Sequence, residues 1–565
     1  MVFTVADALL DQLAEHGVRV CFGVPGVHNL PLWAGAGVGR RPRVVGVRHE
    51  QAAGYAADAA ARATGGLGVA ITTTGPGFAN ALAAFGEAYA SFSPVLLLSS
   101  EAPLGPRRRT GADNGLLHSM RSQADMVTHG FGALAVSAAD GADATAALPR
   151  LVAHALASGR PVYLGVPADV LASEWTGANP APHARRPSTP DAADVAAAVA
   201  ALGPVAAVPG DDAPHSGADR RPRRVVIWLG ARAVDAEDDV RRLVDRLDAL
   251  VVPTFAARGM LADHPSTIVA PPHEPRVAEV VGGADTLLVI GDDLAGMTTR
   301  NWAMPVPGTI VALTDDPDAS LGDYPLAARV GGPVGFSVRA LLDALAPDDD
   351  MLAARPAHTA AAVTEAVWAD TRADARTAAG AQFVATLETG WFDAGALVLD
   401  MCVAGYWLGG YARQPRPRRL QYPVGWGTLG FALPAAIGPA SLGIPTLAVV
   451  GDGGAAMGLG ELATYAQERL PVAVLVVTDG GYGMLRYDQT VAGDPHRGVD
   501  LVEPRWEDLA AAYGMRVMRT DDPGAGLARA LTQARDGLTC GERWMVVLEA
   551  ALFPPRTTSP RWREH

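Results

Sequence analysis

Short apolar runs alternate with longer stretches of helical periodicity along nearly all of the 565-residue chain. In the first part, residues 19–22, 68–72 and 94–98 read as buried strands, and a helix is expected over 50–63. The middle part repeats the pattern with strands at 224–229, 249–253, 286–290 and 309–313. In the last part, strands are expected at 446–450, 472–477 and 544–548, with a helix over 461–469. Continuous apolar strands separated by amphipathic helices are the pattern of parallel sheets covered on both faces. The expected fold class is therefore α/β, as three consecutive doubly wound parallel-sheet domains. Two Pro-rich, polar stretches without periodicity, 174–190 and 346–356, read as linkers, and 203–223 reads as a surface insertion. The expected domains are 1–175, 190–345 and 360–565.

Composition narrows the function classes. The longest apolar run, around 471–477, is far short of the ~18–20 residues of a membrane span, so no membrane partner is expected. The amphipathic N-terminus lacks the basic-then-apolar order of a secretory signal. Cys21, Cys402 and Cys540 are scattered, which supports neither a disulfide framework nor a zinc cluster, and a reducing cytoplasm is the expected compartment. All 46 basic residues are arginine. The absence of lysine excludes a lysine Schiff base, lysine-linked pyridoxal phosphate and a Walker A loop. A net charge of −14 argues against nucleic acid as a partner.

Two glycine-rich stretches compete for a cofactor. Gly425-Trp-Gly-Thr-Leu-Gly430 matches the dinucleotide pattern and is followed by Asp452, but Pro423 precedes it and Pro434 falls inside the helix it would open. A nicotinamide-dependent dehydrogenase is accordingly the remote alternative. The second stretch is Gly451-Asp-Gly-Gly454, at the end of an expected strand, followed by a helix, another strand and Thr478-Asp-Gly-Gly-Tyr-Gly483. Asp452 and Asp479 then stand at the carboxyl ends of neighbouring parallel strands, where two hard oxygen ligands can converge on Mg²⁺. Gly453 and Gly454 open a helix whose amides can take phosphate oxygens, and Gly480 and Gly481 let the chain turn so that a backbone carbonyl also faces the metal.

GDGG followed by TDGGYG is similar to the thiamin diphosphate motif, with Thr478 where Asn is usual. FGVPGVHNLPLW, VRHEQAAGYAADAAARATG and ITTTGPGFANALAAFGEAYASFSPVLLLSS resemble the matching pyrimidine-binding domain. The chain as a whole resembles the acetolactate synthase / pyruvate decarboxylase superfamily. GVPGVHN, LLHSMRSQ and YPVGWGTLGFALPAAIG resemble in particular 2-oxo acid decarboxylases of the guanidino-oxopentanoate type, with some likeness to benzaldehyde lyase. The resemblance implies thiamin diphosphate and Mg²⁺ as cofactors and decarboxylation of a 2-oxo acid through an enamine. Glu50 would hydrogen-bond the aminopyrimidine ring, and Gly427 and Leu429 would hold that ring and bend the cofactor. Gly453, Gly454, Gly481 and Tyr482 would line the diphosphate. Asp452, Asp479 and the Gly481 carbonyl would bind the metal.

What meets the enamine decides the reaction. His28 stands where benzaldehyde lyase has a catalytic histidine, and His118 where carboligases often have glutamine; an imidazole there can shuttle protons near neutrality. Leu485 replaces the glutamate of pyruvate decarboxylases, so that activity is not expected. Arg486 either holds a substrate carboxylate or bridges to a surface acid, and Asn29 and Thr74 are further candidates for substrate contact. The middle domain shows no clear nucleotide pattern, so FAD is not expected. Acyloin-forming carboligation is the close alternative, and a catalytically silent relative is disfavoured because Glu50, Asp452 and Asp479 are all present. The resemblance also implies a homodimer, or a dimer of dimers, with active sites shared between chains.

Overall fold

The computed structural model describes residues 2–105, 116–180, 189–203, 205–206, 220–221, 223–314, 321–345 and 357–558. Most of the 203–223 insertion, residues 181–188 of the first linker and all of the second linker lie outside the described residues.

Three larger parallel sheets are present. The first is built from β1 (Val20–Gly23), β2 (Arg43–Gly46), β3 (Gly68–Thr72), β4 (Val95–Glu101), β5 (Ala135–Ser137) and β6 (Val162–Pro167), in the spatial order 2-1-3-4-6-5. A two-residue antiparallel pair, β7 (Val205–Ala206) with β8 (Arg220–Arg221), follows. The middle sheet contains β9 (Val225–Leu229), β10 (Leu250–Pro253), β11 (Thr286–Ile290), β12 (Ile310–Thr314) and β13 (Ala328–Gly331), in the order 10-9-11-12-13. The last contains β14 (Ala396–Leu399), β15 (Leu420–Gln421), β16 (Thr446–Gly451), β17 (Val472–Thr478), β18 (Arg516–Thr520) and β19 (Trp544–Glu549). Its order, 15-14-16-17-19-18, repeats that of the first sheet.

The strands that the sequence reading passed over are mostly edges. β2, β5, β13 and β18 have only partly buried patterns, so they carry no continuous apolar run. An edge strand has one neighbour and is partly wetted, which removes the signal that marks a central strand.

The chain forms two compact units. One holds residues 1–185, 389–405 and 421–551, with the first and last sheets. The other holds 186–388, 406–420 and 552–565, with the middle sheet. Residues 357–388, which the pattern assigns mainly to the start of the last domain, therefore pack in the second unit. No helix among the described residues is long and apolar enough to cross a membrane.

In the first unit, the Glu50–Thr64 helix is the central support. It is capped by the His49 imidazole, which accepts from the Gln51 amide at 3.2 Å, and ends at Gly65 with φ +73°. Its alanines are almost all buried, so neighbouring helices approach its backbone closely. A methyl group at Gly438 of the Ala432–Ser441 helix would collide with the Ala56 carbonyl, and one at Gly54 would collide with Ala84. This packing joins the first and last sheets of the unit into one apolar core.

Candidate active site

The first half of the site lies at the carboxyl ends of β1, β2 and β3. Glu50 is the first residue of its helix, and its Oε2 accepts from Asn80 Nδ2 at 3.0 Å. Gly77 clears the space beside the other oxygen: a Cβ there would stand 3.2 Å from Oε1 and 2.7 Å from the Thr73 methyl. Thr73 also stands against Gly26, in the turn that carries His28. His28 and His118 meet edge to face, with ring centroids 5.8 Å apart. Burial, and then the nearby charge of His118, lower the His28 pKa from its ordinary 6.5, which favours the neutral ring. Its Nδ1 is buried and has no hydrogen-bond partner among the described residues. His118 has φ +61°, a conformation costly for a side chain of this kind, and Gly75 is packed against its backbone.

The second half lies at the carboxyl ends of β14, β16 and β17. Burial raises the pKa of Asp452, and burial followed by the charge of Asp452 raises that of Asp479. The carboxylates are thus close enough to repel, and Glu503 adds to the repulsion at both. Oxygen donors in this state suit a hard divalent cation, whose charge would offset the repulsion. Gly453 lies under the Tyr482 ring at the distance where a Cβ would be 2.5 Å away, and Gly454 faces Asp400 similarly, so both positions require glycine. The Gly453 amide donates to Asp452 Oδ1 at 2.9 Å. At Gly481 it is the N–H that reaches both carboxylates, while the carbonyl accepts from the Gly483 amide at 3.1 Å. Gly427 has φ +76°, and Leu429 is exposed beside it.

Three residues expected near the substrate have side-chain polar groups engaged within the chain, and for Arg486 the structure shows the alternative of a bridge to an acid. Asn29 is fully buried and pins its turn, accepting from Gly26 N at 2.8 Å and donating to Val24 O at 3.1 Å. Thr74 is buried and donates toward the His118 carbonyl and Gln123 Oε1. Arg486 is committed to Asp500 and to the carbonyls of Asp479 and Gly480, with Asp479 Oδ1 3.6 Å away. It thereby fixes the loop between β17 and the Gly483–Ala492 helix. Each is a pin, because its polar atoms are already satisfied.

Sequence reasoning missed Asp400, which is fully buried at the end of β14. It accepts from the amides of Met401, Gly430 and Ala432 at 2.9–3.0 Å and so fixes the Gly427–Gly430 loop. The signal was present: like Asp452 and Asp479, it is an acid that ends a buried apolar strand. Asn80, the partner of Glu50, carried no comparable signal.

Family models match all three parts of the chain. They are the thiamine pyrophosphate enzyme N-terminal TPP binding domain over residues 3–126, the central domain over 220–345 and the C-terminal TPP binding domain over 400–547. The chain is 34% identical over 541 residues to the probable 2-ketoarginine decarboxylase AruI of Pseudomonas aeruginosa, covering 92% of this chain and 90% of that one. It is 30% identical to an indole-3-pyruvate decarboxylase of Azospirillum brasilense, covering 90% and 89%. It is 28% identical to an acetolactate synthase of Mycobacterium bovis, covering 92% and 84%. With domain models matching all three parts and a relative 34% identical over nine-tenths of both chains, the chain belongs to the thiamine pyrophosphate enzyme family.

Proposed function

We propose that this enzyme decarboxylates a 2-oxo acid, using thiamin diphosphate held through Mg²⁺ by Asp452 and Asp479. The observation that carries the reading is the cluster at the ends of β1–β3, where Glu50, held by Asn80, and the His28–His118 pair share one wall through Thr73 and Gly75. Relatives named as 2-oxo acid decarboxylases, alike over nine-tenths of the chain, support it. When bound, thiamin diphosphate supplies the electron sink that lets a carboxylate leave as CO₂. Glu50 offers its Oε1 to the aminopyrimidine ring while Asn80 fixes Oε2. Neutral His28 has one N–H and one acceptor nitrogen, so it relays a proton rather than storing one. Asp452 and Asp479 would hold the metal, and Gly453 and Gly454, packed against the Tyr482 ring and the Asp400 carboxylate, would present the start of their helix to the diphosphate.

Acyloin formation is the second reading. It is favoured by Leu485, an exposed apolar residue where pyruvate decarboxylases carry a protonating glutamate, and by the likeness to acetolactate synthases. The test is turnover of a panel of aliphatic, aromatic and guanidino 2-oxo acids, with and without an acceptor aldehyde. CO₂ and free aldehyde in equal amounts are expected from one class without acceptor. CO₂ released only when an acceptor is present would favour ligation, and no release from any member would overturn both readings.

The two half-sites are incomplete alone. Among the described residues, no hydrogen bond or ion pair of Glu50 or His28 reaches Asp452 or Asp479. Val27, Leu30 and Leu117 at the first half and Leu429, Met457 and Leu485 at the second are exposed apolar side chains. Pairing the first domain of one chain with the last domain of another would cover both and complete two equivalent sites per dimer.

A further inference from the structure

The loop that carries Gly427 and Leu429 lies against the Pro76–Ala90 helix of the first domain. That helix face is shaped for it. A methyl group at Gly86 would occupy the space of the Trp426 ring, and one at Gly425 would stand 2.8 Å from the Ala90 carbonyl. In the middle of this face sits Glu87, a carboxylate with no solvent exposure. Its Oε2 accepts from the Thr428 hydroxyl at 2.8 Å. Its Oε1 accepts from Ser91 Oγ at 2.7 Å and from Arg62 Nη2 at 3.3 Å. Arg62 is paired with Asp58, donates from Nη1 to the Tyr422 carbonyl at 3.1 Å, and stacks 5.2 Å from the centre of the Phe431 ring. Two helices of the first domain therefore hold the loop at Tyr422, Thr428 and Phe431.

We propose that Glu87 is a positioning residue for the reaction, fixing through the Thr428 hydroxyl the direction in which Leu429 enters the site. The inference rests on the reading of this loop as the seat of the cofactor's aminopyrimidine ring. Thr428 and Leu429 lie between Gly427, with φ +76°, and Gly430, with φ +75°. Left-handed glycines resist rotation less than any other residue, so the backbone alone does not set the angle of the segment between them. Leu429 is itself 37% exposed and cannot fix that angle by packing. Asp400 holds the far end through the Gly430 and Ala432 amides, and on the near side, beyond the Gly427 amide's bond to the Pro423 carbonyl, the Thr428 hydroxyl is a side-chain tether. A hydrogen bond to a buried carboxylate is shorter and more directional than one between neutral groups, which suits a tether better than it suits bulk stability. A displacement of roughly 1 Å in a residue that orients a reacting group is enough to cost about a hundredfold in rate.

The test uses the full-length protein and three variants. Thr428→Val removes the hydroxyl at nearly constant volume, Thr428→Ser restores it, and Glu87→Gln keeps an acceptor but removes the charge. Amide hydrogen exchange of residues 425–430 in cofactor-free protein gives a readout that does not depend on turnover. Thr428→Val is expected to speed that exchange and to lower kcat by about ten- to a hundredfold, the loss of one buried bond to a charged acceptor. KM for the 2-oxo acid should stay near wild type, while the urea midpoint falls, because Glu87 Oε2 is left buried without that donor. Thr428→Ser should recover both exchange and kcat, with Glu87→Gln intermediate. Wild-type exchange and kcat in Thr428→Val would overturn the proposal, as would a fall in the urea midpoint with kcat retained. If wild-type protein turns over no 2-oxo acid while exchange still responds to Thr428→Val, the tether stands and the functional reading fails.

Discussion

Glu50 begins its helix with one carboxylate oxygen taken by Asn80 and the other facing space that Gly77 leaves open. Replacing it by Gln keeps the shape and removes the charge. Glu50→Gln should still bind thiamin diphosphate, measured by titration calorimetry, but lose several orders of magnitude in kcat. Near-wild-type turnover would refute the assignment. Asp400 makes a prediction about pH. Burial, opposed by the amides of Ala432, Gly430 and Met401, raises its pKa to about 6 from 3.8. A raised carboxyl pKa stabilises the folded state below pH 3.8, and that contribution is lost as pH rises through about 6. The displacement is worth about 3 kcal/mol at most. Urea unfolding of cofactor-free Asp400→Asn should therefore show a flatter fall in stability between pH 4 and 7.5 than wild type; parallel curves would contradict it. The placement of Glu50, Asp452 and Asp479 at strand ends was readable from the sequence, because each sits in a motif beside a buried apolar run. The partners of Asn29 and Thr74 were not readable, because whether a polar side chain is engaged depends on groups such as the Val24 carbonyl and Gln123 that only the fold brings near, whereas a bridge from Arg486 to an acid was one of the two readings of that residue.

The elements that hold these residues depend on small side chains in helix interfaces. Gly438 of the Ala432–Ser441 helix lies over the Ala56 carbonyl, with the Ala60 amide 2.7 Å from where a Cβ would be. Alanine in a helix gains about 1 kcal/mol over glycine, but a methyl group forced into backbone costs typically 1–3 kcal/mol. Here both obstacles are backbone, so the clash wins, and Gly438→Ala should lower the urea midpoint. An unchanged or higher midpoint would mean that the helices are less closely packed than described. Several central strands were foreseeable from their apolar runs, since β3 and β11 coincide with the expected 68–72 and 286–290, although the central β6 and β14 were passed over. The edges were not, because β18 mixes exposed and half-buried positions and has no buried face. The Glu50–Thr64 helix was foreseen to within a residue, although its role as the support beneath the Ala432–Ser441 helix was not. Alanine-rich periodicity marks a buried face without naming what packs on it.

At the scale of the whole molecule, the first and last sheets share one strand order, and each places its chemistry at the carboxyl ends of its strands. On the proposed reading neither holds a complete set: the first has Glu50 and the histidines, and the last has Asp452, Asp479 and the glycines beside them. Within one chain the contact between these domains is spent on the Glu50–Thr64 and Ala432–Ser441 helices and on the tether at Thr428, not on joining Glu50 to Asp452. A two-fold pairing of chains would join them twice. Glu50→Gln and Asp452→Ala, each inactive alone, should then complement when mixed under conditions that allow subunit exchange. A mixed dimer has one site carrying both substitutions and one site carrying neither. With free exchange of equal amounts, half the dimers are mixed, and recovery should approach about a quarter of wild-type activity. The recovered activity should depend on protein concentration as a dimer dissociates, and should vanish if Glu50→Gln is mixed only with itself. No recovery despite exchange demonstrated by mass, or full activity in a species that light scattering shows to be monomeric, would place both half-sites in one chain.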